Sequence, residues 1–301
     1  MKSYFVSRIH TFSEWKPHEA EQPFLSHAQK IIGQESCNVY DDDTGALILK
    51  FRKQVIPPSV IEIAKDIYGT IDAKMKPSYS RNSAAGKVQL EKIQALKPNV
   101  EAVYPANKLG TKAKVQVSGG KILSDPLSNP VKSYKAGYNY WRFQGGCALK
   151  TGFTKQFPDQ WEASIPFFNA IGEQFEQAMP ETAAIHRKAM EGWEEYLIGT
   201  TALSTVAINV NYESAYHVDR GDLPDGFSTL TVCEFGKYDG GVYMIPEYGL
   251  GVDVREGDLV CSQSHRYWHG NTKIIPQTDG ARRMSFITYL KAGIPSATVR
   301  K

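Results

Sequence analysis

The sequence has no long apolar run, no closely spaced cysteines and no apolar core within its first residues, and each absence argues against a class of protein. No hydrophobic run approaches the roughly 20 residues that a membrane-spanning helix needs, so we expect no membrane partner. The first eight residues, MKSYFVSR, contain no apolar core of a signal peptide, which predicts an intracellular protein. Its four cysteines are far apart and form no CxxC pair, so neither a zinc finger nor a disulfide framework is expected.

The overall composition is that of an ordinary globular protein. The chain has 301 residues, of which 42% are hydrophobic and 22% are charged, and these values exclude disorder, collagen and coiled coil as whole-chain structures. A chain of this length can bury a substantial core in one large domain. Because no internal repeat and no sharp linker is visible, we expect residues 1–301 to form a single unit. The oligomeric state is left open.

Positive charge is concentrated in one segment, although the formal net charge is only +3. Residues 81–150 contain twelve basic and three acidic side chains, a local charge of +9, so the rest of the chain carries −6. The segment ends in a group of aromatic residues: Tyr134, Tyr138, Tyr140, Trp141 and Phe143. Lysines neutralise phosphates and aromatic rings stack on bases that have left a helix, which favours a nucleic-acid partner. A solvated, lysine-rich surface is the ordinary alternative.

The pattern of apolar residues predicts an α+β fold. We expect a helix that starts near Ser59 and ends at Gly69, loop structure over residues 78–138, and helices at 161–179 and 182–197. After residue 199 the sequence pattern changes to that of short strands, predicted near residues 203–212, 228–235, 242–245, 259–263 and 284–290. Such strands indicate an antiparallel sandwich or barrel. The core is therefore expected within residues 201–292, with residues 1–200 as its flank.

Candidate metal ligands lie inside this β region. His217 and Asp219 form an HxD pair, and on an extended segment both side chains project to the same face. Fifty residues later, His269 provides a second histidine. Two histidines and one carboxylate form the facial triad of non-haem Fe(II) oxygenases, which leaves positions open for a co-substrate and O₂. His265 competes with His269 for the distal position, and Gly270 after His269 favours the latter.

A second group of candidate residues opens the last apolar strand. Arg283 and Ser285 lie fourteen and sixteen residues after His269 and share one face of the strand. A guanidinium next to a hydroxyl can hold a carboxylate, as the distal carboxylate of 2-oxoglutarate requires. Arg282 should then point outward. The ordered set HxD, distal histidine and RxS predicts an Fe(II)/2-oxoglutarate dioxygenase.

These residues stand in a longer pattern that resembles the TET/JBP family of nucleic-acid-base dioxygenases. The likeness rests first on VAINVNY at residues 206–212, which leads into the HxD pair. Other similar segments, in chain order, are residues 49–57, 81–86, 153–154 with the helix after them, 226–231, 238–241 and 256–260. The likeness therefore runs in order over residues 45–290 and is densest after Thr205.

The resemblance implies a fold, a reaction and residue roles. The fold would be a double-stranded β-helix, of the jelly-roll or cupin type, with flanking helices. The reaction would be oxidation of the 5-methyl group of a pyrimidine in DNA, with 5-methylcytosine favoured over thymine. Cofactors would be Fe(II) on His217, Asp219 and His269, 2-oxoglutarate on Arg283 and Ser285, and O₂. A stacked base cannot reach a buried iron, so the target would be flipped or single-stranded.

Three residues are further candidates for substrate binding, and two other functions stay open. The candidates are Arg81, Asn82 and Asn211, whereas Asn209 is equally well explained by polar pairing within the sheet. An Fe(II)/2-oxoglutarate hydroxylase of a small molecule or protein side chain would use the same metal ligands. A non-catalytic nucleic-acid-binding protein would use the basic segment alone.

Overall fold

A computed structural model describes residues 1–10, 21–77, 81–95, 97–104, 113–142 and 146–300. In chain order the strands are β1 (Lys2–Val6), β2 (Lys30–Ile32), β3 (Cys37–Asp41), β4 (Leu47–Arg52), β5 (Val100–Tyr104), β6 (Ala113–Val117), β7 (Lys121–Leu127), β8 (Ser133–Trp141), β9 (Cys147–Lys150), β10 (Thr205–Val210), β11 (Ser228–Phe235), β12 (Tyr238–Gly240), β13 (Tyr243–Ile245), β14 (Leu250–Val252), β15 (Leu259–Ser262), β16 (Gly270–Asn271), β17 (Ile274–Pro276), β18 (Arg282–Tyr289) and β19 (Val299–Arg300). The helices are α1 (Pro58–Asp72), α2 (Leu90–Gln94), α3 (Gly152–Gln156), α4 (Pro158–Ala178) and α5 (Pro180–Ala189). Among the described helices, none combines the length and apolar character needed to cross a membrane.

Two sheets pack face to face and form the jelly-roll core. The large sheet has ten strands in the order β1-β3-β4-β15-β11-β18-β10-β8-β9-β19, and the small sheet has four in the order β16-β13-β14-β2. Their inner faces share one apolar cluster, to which Val232 and Ile48 contribute from the large sheet and Ile245 and Leu250 from the small sheet. The predicted α+β class with a double-stranded β-helix core and flanking helices is confirmed.

Alternate residues of β18 face opposite sides of the large sheet, as the pleat of a strand requires. Met284 and Phe286 pack into the core formed with α1 and α4, where the ring centroids of Phe286 and Phe167 are 5.0 Å apart. Ser285 and Ile287 instead line a cavity between the two sheets. One strand therefore joins the helical layer to the cavity.

The first helix continues beyond the glycine predicted to end it. Gly69 lies inside α1, which reaches Asp72. A Cβ at Gly69 would lie 3.1 Å from the Phe235 ring and 3.3 Å from the Arg282 guanidinium. The predicted end is wrong because this glycine allows close packing of the helix on the sheet and does not cap it.

The third predicted helix is shorter than the sequence pattern indicated. It was expected over residues 182–197, but α5 ends at Ala189 and a separate 3₁₀ turn spans Glu194–Tyr196. Gly192 between them has a φ of 79°, a left-handed conformation that interrupts an α-helix. The other long helix, α4, lies close to its predicted range.

Residues 78–138 contain strands where the sequence predicted a loop. β5, β6 and β7 form a separate three-stranded antiparallel sheet. β8 pairs with β10 inside the large sheet, with Lys135 opposite Ala207 and Ser133 opposite Asn209. Strands of the large sheet therefore also come from before residue 201. The alternation of β8 is interrupted at Gly137, whose φ is 78° and whose Cβ position lies 2.7 Å from the Ser204 carbonyl oxygen.

Candidate active site

Two segments far apart in the sequence meet through backbone hydrogen bonds, and this contact assembles a cluster of metal-ligating side chains. The amides of His217 and His269 each donate to the carbonyl of the other residue, both at 2.9 Å. The side chains of His217, Asp219 and His269 converge here, with their ligand atoms all within 4.8 Å of one another. The Asp219 carboxylate lies 3.3 Å from Nε2 of His269 and 3.7 Å from Nε2 of His217.

Backbone carbonyls orient both imidazoles toward the cluster. Nδ1 of His217 lies 2.7 Å from the Ala215 carbonyl oxygen, and Nδ1 of His269 lies 3.0 Å from that of Tyr267. With the proton on Nδ1 donated to the carbonyl, each Nε2 presents its lone pair to a metal. His265 points its Nδ1 to the carbonyl oxygen of Asp219 at 3.3 Å and is not part of the cluster.

The protonation states of the cluster also suit a metal. Burial and the neighbouring His269 lower the pKa of His217 to about 4, so its imidazole is neutral near pH 7. Burial alone would raise the pKa of Asp219, but the hydrogen bond from His269 and the nearby imidazoles hold it below its usual range. Burial opposes the charged form of His269, whereas the hydrogen bond to Asp219 raises its pKa overall. A metal would replace the proton that Asp219 and His269 share.

Arg283 and Ser285 lie in the same cavity as the metal-ligand cluster. The Arg283 side chain is 3% exposed, and its Nε and Nη2 find no hydrogen-bond partner among the described residues. Burial lowers the pKa of its guanidinium, and the adjacent Tyr238 partly offsets this effect. Burying a cation without an anionic partner is costly, so this guanidinium is suited to a carboxylate that comes from a ligand.

Asn211 holds the backbone of Arg283 in place and does not line the cavity. Its Oδ1 accepts a hydrogen bond from the Arg283 amide at 2.7 Å, and its own amide donates to the Arg283 carbonyl at 2.9 Å. The residue adopts a φ of 45°, a conformation that asparagine tolerates better than most residues. Asn211 was expected to bind substrate, but the structure does not bring it to the cavity with the metal ligands.

The cavity has a volume of about 270 Å³ and extends along the inner face of the large sheet. At alternate positions of β18, four side chains line it in succession: Arg283, Ser285, Ile287 and Tyr289. The metal-ligand cluster lies on the opposite wall, together with Tyr243 and Asn271 of the small sheet. The cavity therefore has one end at Arg283 and a second end near Tyr289.

Arg81 lines the cavity, as expected for a substrate-binding residue. Its Nε donates to Ser133 Oγ at 2.6 Å, and its buried Nη2 has no partner among the described residues. The Ser133 hydroxyl in turn bonds to Asn209, which also faces the cavity, so Asn209 has both a pairing role and access to the site. Asn82 begins a short 3₁₀ turn, and its side chain lies outside the described part of the structure.

The aromatic residues of the basic segment do not form one stacking surface. The Tyr134 ring lies 6.3 Å from that of Phe153 in the buried core, and Tyr138 packs edge-on against Tyr196. Trp141 is 48% exposed, but it lies at the opposite end of β8 from Ser133. Phe143 lies outside the described residues. None of the described members of this group lines the cavity.

Several cavity residues were not identified from the sequence. Asp222 is buried and accepts a hydrogen bond from Ser264 at 2.8 Å, and burial raises the pKa of its carboxyl well above the usual range. Lys135 and Lys291 also line the cavity. Asp222 lies three residues after the HxD pair, and this proximity could have identified it as a cavity residue. Lys135 could not be found in this way, because strand pairing alone brings it to the cavity, whereas Lys291 continues the alternation of β18 two residues after Tyr289.

The residues present fit both Fe(II) and 2-oxoglutarate. The cluster offers two imidazole nitrogens and one carboxylate oxygen, a donor set typical of non-haem Fe(II) sites. The unpartnered guanidinium nitrogens of Arg283 and the neighbouring Ser285 hydroxyl suit the distal carboxylate of a dicarboxylic 2-oxo acid.

A buried glutamate lies close behind the His269 segment and gives a prediction about stability. Glu247 is 2% exposed, its Oε2 has no partner among the described residues, and its carboxyl accepts from the Trp268 amide. Burial raises its pKa to about 7. The native state therefore holds a proton that the unfolded chain has lost above about pH 4.3, and the stability this gives falls as pH rises through 7.

Replacing Glu247→Gln should remove that pH dependence. Between pH 4.5 and 8, the free energy of unfolding of the variant should rise relative to the wild type by at most about 3 kcal/mol. Urea denaturation at several pH values measures the difference. A difference that stays constant over this range would contradict the prediction.

A jelly-roll core with a His-Asp-His cluster and a buried arginine defines a class of protein, the metal-dependent oxygenases with a facial triad. Comparison with known families narrows this class. The sequence model of the Tet_JBP family, described as the oxygenase domain of the 2OGFeDO superfamily, matches residues 133–292, more than half of the chain. The chain belongs to this family.

This chain matches only a short part of two longer relatives. Thymine dioxygenase JBP1 of Crithidia fasciculata is 28% identical over 149 residues, which are 49% of this chain and 18% of that protein. The bifunctional helicase and thymine dioxygenase JBP2 of Trypanosoma cruzi (strain CL Brener) is 27% identical over 186 residues, 60% of this chain and 16% of that protein. The chain thus spans less than a fifth of the length of these relatives.

A solved structure supports the fold independently. The structure titled NgTET1 in complex with 5mC DNA superposes with a TM-score of 0.52 and 13% sequence identity, covering 90% of this chain and 84% of that one. At this identity the likeness concerns the fold alone.

Proposed function

We propose that this chain is an Fe(II)- and 2-oxoglutarate-dependent dioxygenase that oxidises the 5-methyl group of a pyrimidine base in DNA, and that residues 1–301 act as one catalytic unit. One observation carries the proposal: the His-Asp-His cluster shares a cavity with Nε and Nη2 of Arg283, which have no hydrogen-bond partner among the described residues, and this cavity extends along β18 from Arg283 to Tyr289. Family membership and the names of the relatives support the same reaction.

The chain's own residues would bind and orient the reactants. His217, Asp219 and His269 would hold Fe(II), and Arg283 with Ser285 would hold 2-oxoglutarate. When bound, Fe(II), 2-oxoglutarate and O₂ together supply the insertion of one oxygen atom into a methyl C–H bond, with 2-oxoglutarate converted to succinate and CO₂. The inner faces of both sheets keep water away from this chemistry, since Ile287, Leu230 and Tyr243 form apolar walls.

The charge and the depth of the cavity support a base in DNA as the substrate. The basic segment contributes Arg81 and Lys135, and other parts of the chain contribute Arg220 and Lys291. Because the ligand cluster lies in a cavity between the sheets, with His269 buried and the Asp219 side chain 37% exposed, a base in a duplex would have to flip out or be single-stranded to reach it. We place 5-methylcytosine first and thymine second; both bases carry the 5-methyl group that the proposed reaction oxidises.

Nucleoside mass spectrometry tests the proposal. The protein, with Fe(II) and 2-oxoglutarate, is incubated with single-stranded and duplex oligonucleotides that contain 5-methylcytosine, thymine, or only unmethylated cytosine and uracil. We expect a hydroxymethyl nucleoside from at least one methylated base, matched by succinate, and neither product with His217→Ala. Succinate without any new nucleoside would instead favour a hydroxylase of another substrate, and no succinate at all would favour a non-catalytic binding protein.

A further inference from the structure

The end of the cavity near Tyr289 is lined by basic side chains. Along β18, Arg283 and Tyr289 are six residues apart, which corresponds to about 20 Å in a strand. Lys135 and Lys291 lie near Tyr289, because Lys135 is opposite Ala207, the partner of Ile287, and Lys291 follows Tyr289 by two residues. Arg220 also lines the cavity, and the neighbouring Gly221 accepts a hydrogen bond from the Ala292 amide. The three cations come from β8, from the turn after the HxD pair and from the residues that follow β18, so the fold brings them together from separate segments.

Neither lysine forms an ion pair within the described ranges, although Asp222 attracts both of them at longer range. The ion pairs found there, at N–O distances up to 4.0 Å, include neither Lys135 nor Lys291. Although the Lys135 side chain is exposed, loss of hydration in the cavity and the nearby Arg81 and Lys291 lower its pKa to about 8, against the attraction of Asp219 and Asp222. Most of its ammonium is therefore charged at neutral pH. Gly221 makes room for the other lysine, because a Cβ there would lie 2.1 Å from Lys291 Nζ.

The charges of the cofactor site do not neutralise these cations. With Fe(II) and 2-oxoglutarate bound, the metal and the Arg283 guanidinium balance the Asp219 carboxylate and the two carboxylates of 2-oxoglutarate. The remaining charged side chains that line the cavity are one buried acid, Asp222, and four bases: Arg81, Lys135, Arg220 and Lys291. An excess of positive charge in a partly closed cavity attracts an anion.

We propose that Lys135 and Lys291 form a phosphate subsite at this end of the cavity, which takes the phosphodiester next to the base being oxidised. The inference rests on the proposed function for the identity of the ligand as a nucleotide in a DNA strand. Its consequence is that the site selects a base within a strand over a free base or nucleoside, because only the strand carries the anion.

Neutralising the phosphate and the lysines separately tests the subsite. The probe is a fluorescent single-stranded oligonucleotide with one 5-methylcytosine, compared with the same strand carrying uncharged methylphosphonate linkages on both sides of that base. Anisotropy titrations should show that the wild type binds the uncharged probe roughly tenfold more weakly. Lys135→Met and Lys291→Met should each weaken binding of the charged probe by a similar factor. The double variant should bind both probes alike.

Salt dependence and matched lysine variants complete the design. Each lost contact should reduce the slope of log K against log salt by about 0.7, the value for single strands. Lys155→Met and Lys188→Met, at exposed positions on α3 and α5, should keep the wild-type slope and affinities. If one of the two single variants does not melt cooperatively and is therefore not folded, the other single variant still tests the subsite.

The outcomes separate the subsite from the proposed function. If a base is oxidised but the methylphosphonate weakens wild type and lysine variants equally, the subsite is wrong and the function stands. A different outcome is that no base is oxidised while only the double variant binds the charged and the methylphosphonate probe with equal affinity. In that case the subsite stands and the proposed reaction is wrong. Equal wild-type affinity for both probes would overturn the subsite directly.

Discussion

Asp219→Ala should abolish turnover and weaken binding of Fe(II) by more than a hundredfold. Removal of an outer-shell partner of a metal ligand costs about 10- to 100-fold in affinity, and Asp219 would be a ligand itself and the only anionic one in the cluster. Loss of the carboxylate also removes the hydrogen bond that stabilises the protonated form of His269. Anaerobic calorimetry with Fe(II), or with Mn(II) as a redox-stable substitute, measures the affinity.

Asp225→Ala is the matched control for this prediction. Asp225 lies in the same turn region, six residues further along the chain, but it is exposed and does not line the cavity. Its replacement should leave metal affinity within a factor of two of the wild type, as expected for a surface substitution. Retention of wild-type metal affinity in Asp219→Ala would show that the cluster is not the metal centre.

The His-Asp-His cluster and the position of Arg283 and Ser285 in its cavity could be predicted from the sequence because each depends on short-range geometry. In the HxD segment and at the start of β18, the two relevant residues are separated by one other residue, so an extended backbone places both on one face. The strands after residue 199 are also separated by clear turn signals, and the predicted strand at Ser228–Phe235 matches β11.

The rest of the site depends on strand pairing, which a single sequence does not encode locally. Lys135 reaches the cavity only because β8 joins the large sheet beside β10, and the left-handed Gly137 interrupts the alternation that would have revealed β8. The role of Asn211 likewise depends on its contact with Arg283, 72 residues away. The excess charge of residues 81–150 was visible in the sequence, but which of those charged side chains line the cavity was not.

Arg283→Met should raise the apparent Kd for 2-oxoglutarate by roughly a hundredfold, because two charge-assisted hydrogen bonds to a carboxylate are lost. Metal affinity should change little, since Arg283 is not in the ligand cluster. Calorimetric titration of 2-oxoglutarate into the Mn(II)-loaded protein measures the effect without turnover. Arg282→Met is the control: this neighbour pairs with Asp72 at 3.6 Å and stacks on Phe235, outside the cavity.

The stability of Arg283→Met distinguishes a ligand-binding role from a structural one. A buried guanidinium without an acidic partner destabilises the empty protein, whereas methionine fills a similar volume without charge. The backbone hydrogen bonds between Arg283 and Asn211 do not involve the guanidinium and would persist. We therefore expect the variant, free of 2-oxoglutarate, to melt at or above the wild-type temperature while binding 2-oxoglutarate poorly. A marked loss of stability would mean that the guanidinium supports the fold, and the case for a carboxylate clamp would fail.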